Sequence, residues 1–222
     1  MNGSVRLIGI TKPIDCGCET ANDLVAYAAR VSNPTNQNNS ATAGKLVKYL
    51  IQNEHWSPLE MVHMTMEITT TRDISRQIIR HRSFAFQEFS QRYAVSEQFT
   101  TREARLQDEK NRQNSIQIDP QNQEHIKLWN EWEMKQEQLI SEADHMYQWA
   151  LSNGIAKEQA RALLPEGLTM TRLYMAGSLR SWVHYCQLRM ANGTQREHSD
   201  IAKACWEIIA KEFSSVAEAV GG

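Results

Sequence analysis

Apolar and polar residues alternate most cleanly over residues 61–69, with Val62, Met64, Met66 and Ile68 on one side and His63, Thr65, Glu67 and Thr69 on the other. A period of two belongs to a strand with one buried face. A second alternation, Thr169, Thr171 and Leu173 against Met170, Arg172 and Tyr174, predicts a strand over 168–176. Residues 4–10 carry Val5, Leu7, Ile8 and Ile10, interrupted by Arg6 and Gly9, and predict another strand, closed by Pro13 and a turn at 15–17. One further extended segment is expected over 98–107.

Other stretches run at helical spacing. Residues 19–31 place Leu24, Ala28 and Val31 on an inner face, and a second helix carries Leu46, Tyr49, Leu50 and Ile51 with Ser40 as its expected cap. His55 to Glu60 is a Pro-stiffened turn. Residues 72–79 predict a short helix with Ile74, Ile78 and Ile79 on one side. A long helix is expected over 123–153, with Ile126, Trp129, Trp132 or Glu133, Gln136, Leu139 or Ile140, Ala143 and Tyr147 along one stripe, its aromatic members in the core, and Gly154 as its stop. Residues 156–164 give a short helix halted by Pro165. Ser178 caps a helix bearing Arg180, His184 and Arg189, and a final helix over 195–220 keeps Ile201, Cys205, Ile208, Ile209 and Val216 at helical spacing. Residues 108–124, rich in Gln, Asn and charge, read as a surface loop. With no repeat and no linker, the pattern predicts one domain over residues 1–222 of mixed α/β (α+β) class, a mostly antiparallel sheet flanked by helices with a long helix in the second half.

At 222 residues the chain can bury a sizeable core, and its formal charge of -2 offers no global attraction to nucleic acid. The sequence has no basic leader running into an apolar stretch, and no apolar run of the roughly 18 residues a membrane span needs. A cytoplasmic protein without membrane contact is the expectation. Cys16-Gly17-Cys18 lacks the spacing of a zinc knuckle, so Cys16, Cys18, Cys186 and Cys205 are expected to be free thiols, and no metal site is expected.

Charge is instead clustered locally. Arg72, Arg76, Arg80, Arg82 and Arg92, against Asp73 and Glu88, form a positive patch suited to a small anion. Arg presents a planar fork that matches phosphate, and Arg80 to Arg82 fall where the helix at 72–79 runs out. Glu88, Ser90 and Arg92 would share one side if the chain is extended there.

The stretch Arg80-His81-Arg82-Ser83-Phe84-Ala85-Phe86-Gln87-Glu88-Phe89-Ser90-Gln91-Arg92-Tyr93 has Arg-His-Arg, seven residues, then Ser, and resembles the signature of the flavin-dependent thymidylate synthases. The resemblance spans nearly the whole chain: Ala29-Arg30-Val31-Ser32, His55 to Glu60, Gln77, Arg161 to Pro165, Thr171-Arg172, Arg180-Ser181 and Leu188-Arg189 follow in order. It implies a homotetramer of mixed α/β subunits that binds FAD and dUMP where subunits meet. The reaction implied is reductive methylation of dUMP to dTMP, with 5,10-methylenetetrahydrofolate as carbon donor and NADPH as reductant through the flavin.

Carried over by residue, the resemblance puts Ser57, Arg80, His81, Arg82, Glu88, Ser178, Leu179, Arg180 and His184 at FAD. Gln77, Ile78, Ile79, Arg80, Glu88, Phe89, Ser90, Gln91, Arg92, Arg161 and Arg189 would meet dUMP. Arg189 and Ser90 would be catalytic, Arg189 as a fixed cation against the uracil ring and Ser90 as the motif Ser that positions the nucleotide. Four positions depart from the family pattern: Ala85 stands where many members have Ser, Gln87 and Ser178 where Asn is common, and Gly193 where some have His. Two other classes compete, an Arg-rich RNA-binding module and a structural oligomer whose arginines hold partner acids. Against the first stand the lack of overall basicity, of an aromatic RNA-binding sheet and of a GXXG loop.

Overall fold

The computed structural model describes residues 3–221. The chain runs β1 (Ser4–Ile10), α1 (Ala21–Ala29), α2 (Ala43–Gln52), β2 (His63–Thr71), α3 (Arg72–Ile78) and β3 (Ala85–Glu88). It continues through β4 (Arg105–Gln107), β5 (Ser115–Gln117), α4 (Gln123–Ser152), α5 (Lys157–Ala160), β6 (Met170–Ser178), α6 (Leu179–Met190), α7 (Arg196–Glu212) and α8 (Ser214–Val220). The main sheet has the order β1-β2-β6-β3, every neighbour antiparallel. This is the mixed α+β fold with an antiparallel sheet that the periodicity predicts.

The core follows from the alternation on β2. Met64, Met66 and Ile68 are buried, and across the ladder they face Gly177, Met175 and Leu173 of β6. Trp182 and Val183 of α6, Ile201, Cys205 and Ile209 of α7, and Val25, Val47 and Leu50 of α1 and α2 complete one apolar cluster. Each large aliphatic side chain so buried contributes about 1.5–3 kcal/mol. Gly177 admits Phe84 to this cluster, because a Cβ there would lie 2.5 Å from a Phe84 ring carbon. Phe84 thereby reaches Trp182, ring centroids 4.9 Å apart and nearly perpendicular.

Several expectations shift. β2 and β6 each start two residues later than their alternation suggested. Ser40 does not cap α2: residues Ser40–Thr42 form a 3-10 turn, and the hydroxyl of Thr42, the residue before the helix, accepts from the buried Arg30 at 2.8 Å. The stretch read as a loop over 108–124 contains β5, since Ile116 pairs with Leu106 and Arg105 donates to both the hydroxyl and the carbonyl of Ser115. The helix expected over 195–220 is broken at Phe213 (φ -134, ψ 69), whose fully buried ring draws the chain inward before α8 turns against α2. Along α4, Gln136, Ala143 and Tyr147 are buried as expected, whereas Trp132 is exposed and donates through Nε1 to the Arg102 carbonyl. Leu128, Met134, Leu139, Met146 and Trp149 of the same helix also face outward.

Candidate functional site

The arginine motif is fixed at both ends. β2 passes directly into α3, where Asp73 accepts from the Thr71 hydroxyl and from Arg102, each at 2.6 Å. At the other end of α3, the His81 amide donates to the Ile78 carbonyl at 3.1 Å, and Phe84 plugs into the core. β3 then pairs with β6 from Ala85↔Ala176 to Glu88↔Leu173. The ladder's last bond runs from the Phe89 amide to the Arg172 carbonyl at 2.9 Å. Past that point the Ser90 carbonyl accepts from the amides of Tyr93 and Ala94, so the chain turns and Glu88, Ser90 and Arg92 do not share the extended face that the sequence suggested. Further along the same edge of β6, the Met170 amide donates to the Gln98 carbonyl at 2.9 Å and Thr169 bridges Phe99, so the segment at 98–100 occupies the place a continued β3 would need.

Four groups of side chains emerge. In the first, Arg189 Nε donates to His81 Nε2 at 2.9 Å, leaving the outer edge of the guanidinium without a protein partner among the described residues. Burial and then the Arg189 charge push the His81 pKa down to about 4, so His81 is neutral and its proton sits on Nδ1. His81 lies edge-on to Tyr185, which together with Gln77 contacts His198.

The second group centres on Glu88, which accepts from the hydroxyls of Ser75 and Thr171, each at 3.0 Å, and pairs with Arg72 at 3.7 Å and Arg76 at 3.6 Å. Arg72 is buried, and its Nε and Nη1 have no hydrogen-bond partner. Burial lowers its pKa while Glu88 supports its charge. The Glu88 carboxylate is therefore committed to buried Arg72 and exposed Arg76. In the third group, Arg92 pairs with Glu158 at 3.1 Å, and Arg161 Nε donates to the Glu158 carbonyl at 3.2 Å.

The fourth group lies at the start of α6. Ser178 accepts from the Ser181 amide, and Arg180 pairs with Glu60 at 2.7 Å. Burial opposes ionisation of Glu60, but hydrogen bonds from Ser178 and Arg180 win and hold its pKa below the usual range. Glu60 lies within the 3-10 turn Ser57–Met61 that also presents exposed Ser57. The His184 ring meets Trp56 edge-on, centroids 4.4 Å apart, and burial followed by the Arg180 charge lowers its pKa. Arg80 and Arg82 are exposed and hold no ion pair or side-chain hydrogen bond among the described residues.

Some predicted residues are placed so that only their backbone could meet a ligand. The side chains of Ile78 and Leu179 are fully buried, and Ile79 packs against the core. Gln91 is buried against Ser96, and half-buried Phe89 lines a cavity of about 270 Å³. A larger cavity, about 750 Å³, lies between the β4–β5 hairpin, α4 and the loop joining α6 to α7, and none of the predicted residues lines it.

Helical spacing held a signal for the residues that prediction passed over. His198 falls on the stripe of Ile201 and Cys205, and Tyr185 on that of Trp182, so each polar atom had to find a buried partner. The pairing of Glu60 with Arg180, 120 positions apart, carried no local signal.

Fold and side-chain groups together define a protein with an antiparallel α+β core and four arginine-bearing groups of side chains, beside which Arg80 and Arg82 are exposed and uncommitted among the described residues. The family described as Thymidylate synthase complementing protein matches residues 17–214. A probable flavin-dependent thymidylate synthase of Paramecium bursaria Chlorella virus 1 is 52% identical over 218 residues, covering 98% of both chains. A flavin-dependent thymidylate synthase of Synechocystis sp. is 48% identical over 219 residues, covering 97% of this chain and 98% of that one. Among solved structures, a UMP/dUMP methylase from Streptomyces cacaoi bound with 5-Br dUMP superposes with a TM-score of 0.81 at 25% identity, over 98% of this chain and 93% of that one. The chain belongs to the flavin-dependent thymidylate synthase family.

Proposed function

We propose that this enzyme methylates dUMP to dTMP, drawing the carbon from 5,10-methylenetetrahydrofolate and the reducing equivalents from NADPH through FAD. The observation that carries this is the near-full-length identity of about half to named flavin-dependent thymidylate synthases, with the Arg80 to Tyr93 motif present. The residues present fit FAD: the exposed cations Arg80 and Arg82 are unspent, and Ser57, Ser178, Arg180 and neutral His184 add hydroxyl, cationic and imidazole groups from the start of α6 and the turn packed against it. When bound, FAD supplies the hydride.

The protein's own part is binding and polarisation. Arg189, its Nε held by His81, turns its free outer edge toward the uracil ring, where a fixed cation stabilises negative charge on the pyrimidine. Gln77, Arg92 and Arg161 hold the nucleotide, Ser90 positions it, and Glu88 acts by holding Arg72 and Arg76. Ile78, Ile79, Phe89, Gln91 and Leu179 contribute backbone. Because Arg80, Arg82 and Arg92 are exposed, and so are Leu128, Met134, Leu139, Met146 and Trp149 of α4, a homotetramer completes the pocket from several subunits. No described helix is long and apolar enough to cross a membrane, and the enzyme acts in the cytoplasm without nucleic acid as partner. The test is dUMP-dependent dTMP formation with FAD, NADPH and the folate. Absence of product from folded, flavin-loaded protein would refute the assignment.

A further inference from the structure

His198 is fully buried at the start of α7, where α3, α6 and α7 meet. Its Nε2 lies 3.2 Å from the Tyr185 hydroxyl and its Nδ1 lies 3.3 Å from Gln77 Oε1. Burial raises the Tyr185 pKa well above that of an ordinary phenol, so this hydroxyl keeps its proton and needs an acceptor. His198 Nε2 is the acceptor the structure provides. Burial, then the Arg189 charge and the nearby His81, press the His198 pKa down to about 3, so the ring is neutral and its one proton lies on Nδ1.

The chain of bonds runs in one direction, set at one end by that proton and at the other by the Glu197 carboxylate, which can only accept. His198 Nδ1 donates to Gln77 Oε1, and Gln77 Nε2 donates to Gln195 Oε1 at 2.7 Å. Gln195 Nε2 donates to Glu197 Oε2 at 3.0 Å, and Glu197 is pinned by Arg102 Nη1 at 3.1 Å. A glutamine amide left to itself can turn over, exchanging its donor and acceptor ends at little cost. Here the carbonyl of Gln77 is claimed by His198 and one of its two N–H groups by Gln195. The second N–H remains.

We propose that His198 is a positioning residue that fixes the sense of the Gln77 amide, so that Gln77 offers an N–H donor, and never a carbonyl, to an acceptor oxygen of the nucleotide. This rests on the dUMP reading of the site given above. An acceptor facing an anionic nucleotide would repel it, so a Gln77 held from the Gln195 side alone, and able to turn over with it, would bind more weakly. His198 touches no reacting atom itself.

The test uses two isosteric choices in the FAD-loaded enzyme. In His198→Asn the amide nitrogen can stand where Nδ1 stood and donate to Gln77, whereas in His198→Gln the amide stands in place of Nε2 and that donor is lost. Loss of one hydrogen bond to an anionic ligand corresponds to about a tenfold change in affinity. Calorimetric titration with dUMP should therefore show H198Q about tenfold weaker than the parent and H198N within about threefold, with KM following and kcat at saturating dUMP nearly unchanged. A packing defect alone would harm the smaller Asn at least as much as Gln. In a Gln77→Leu background, H198Q should add no further loss. Equal binding by H198Q and the parent, or the same loss from H198Q with and without Gln77, overturns the proposal. If Q77L alone binds dUMP as tightly as the parent, the Gln77 contact and this role for His198 fall together, while turnover by the parent leaves the enzyme assignment standing.

Discussion

Replacing Glu88 with Gln removes the counter-ion of a guanidinium that has almost no contact with water. Arg72 has a side chain only 6% exposed, Glu88 stands 3.7 Å away, and the other carboxylate in reach, Glu166, is 4.0 Å away and 56% exposed. At an effective dielectric of about 20, one charge pair at this separation is worth roughly 4 kcal/mol. The Arg76 pair adds less than about 1 kcal/mol because Arg76 is 45% exposed. The amide oxygen introduced by Glu88→Gln would still accept from Ser75 and Thr171, which offsets part of the loss. The net expectation is a loss of about 2–4 kcal/mol, somewhat below the roughly 3–5 kcal/mol seen when one partner of a buried pair is removed, because the amide keeps the two hydroxyl bonds. Urea unfolding at neutral pH and fixed protein concentration, followed by circular dichroism, should show the midpoint fall by about 1 M. The double variant Arg72→Met with Glu88→Gln should recover most of it, since neither charge then remains buried. A loss below about 0.5 kcal/mol for E88Q, or a double variant no more stable than E88Q, would refute this account of the Arg72–Glu88 pair.

Arg189→Ala should lower turnover about a hundredfold or more while the protein still retains FAD, because its charge serves the pyrimidine; near-normal rates at saturating dUMP would remove it from the mechanism. Acid should weaken the fold through His81, His184 and His198, whose folded pKa values are depressed: the unfolded chain takes up protons first, so stability falls as pH drops below about 6.5 and goes on falling to about 4 at His81 and about 3 at His198. Glu60 acts in the same direction at lower pH, and a urea midpoint that stays flat between pH 7 and pH 5 would contradict the neutral-histidine assignment. A variant lacking all four cysteines should still form dTMP, since burial pushes the thiol pKa values of Cys18, Cys186 and Cys205 upward and leaves no activated thiolate there. Activity lost from such a folded, flavin-loaded variant and regained on restoring one cysteine would overturn that.

What could be read from sequence is what depends on near neighbours. The alternation over β2 and the Ile74, Ile78 and Ile79 face of α3 stood out because period alone decides them. The long α4 was legible for the same reason, down to Gly154, which adopts φ 77 just past its end. The break at Phe213 was not, since continuous helical spacing conceals a residue whose burial is decided by packing against distant elements. In the site, the motif from Arg80 to Tyr93 was visible as a pattern, but the turn at Ser90 that parts Glu88 from Arg92 goes with residues 98–100 taking the edge at the start of β6, some eighty residues later in the chain. The bonding of Glu88 to the buried Arg72, and of His198 to Gln77 and Tyr185, likewise joins residues that only the fold brings together.

The central pairing of the sheet has a consequence for how the chain acquires its structure. Thr71 meets Met170 and His63 meets Ser178, partners separated by 99 and 115 positions. Until β6 has been made, β2 can pair only with β1, and its apolar face lacks the strand and the helices α6 and α7 that cover it. A nascent chain ending anywhere before residue 170 therefore exposes Met64, Met66 and Ile68 on a two-stranded ribbon, which is marginal by itself in water. Closing a loop of about a hundred residues also delays the step that rewards it. Folding is thus deferred to the last quarter of the chain, and the helix that brings Arg189 is part of the piece that completes the core.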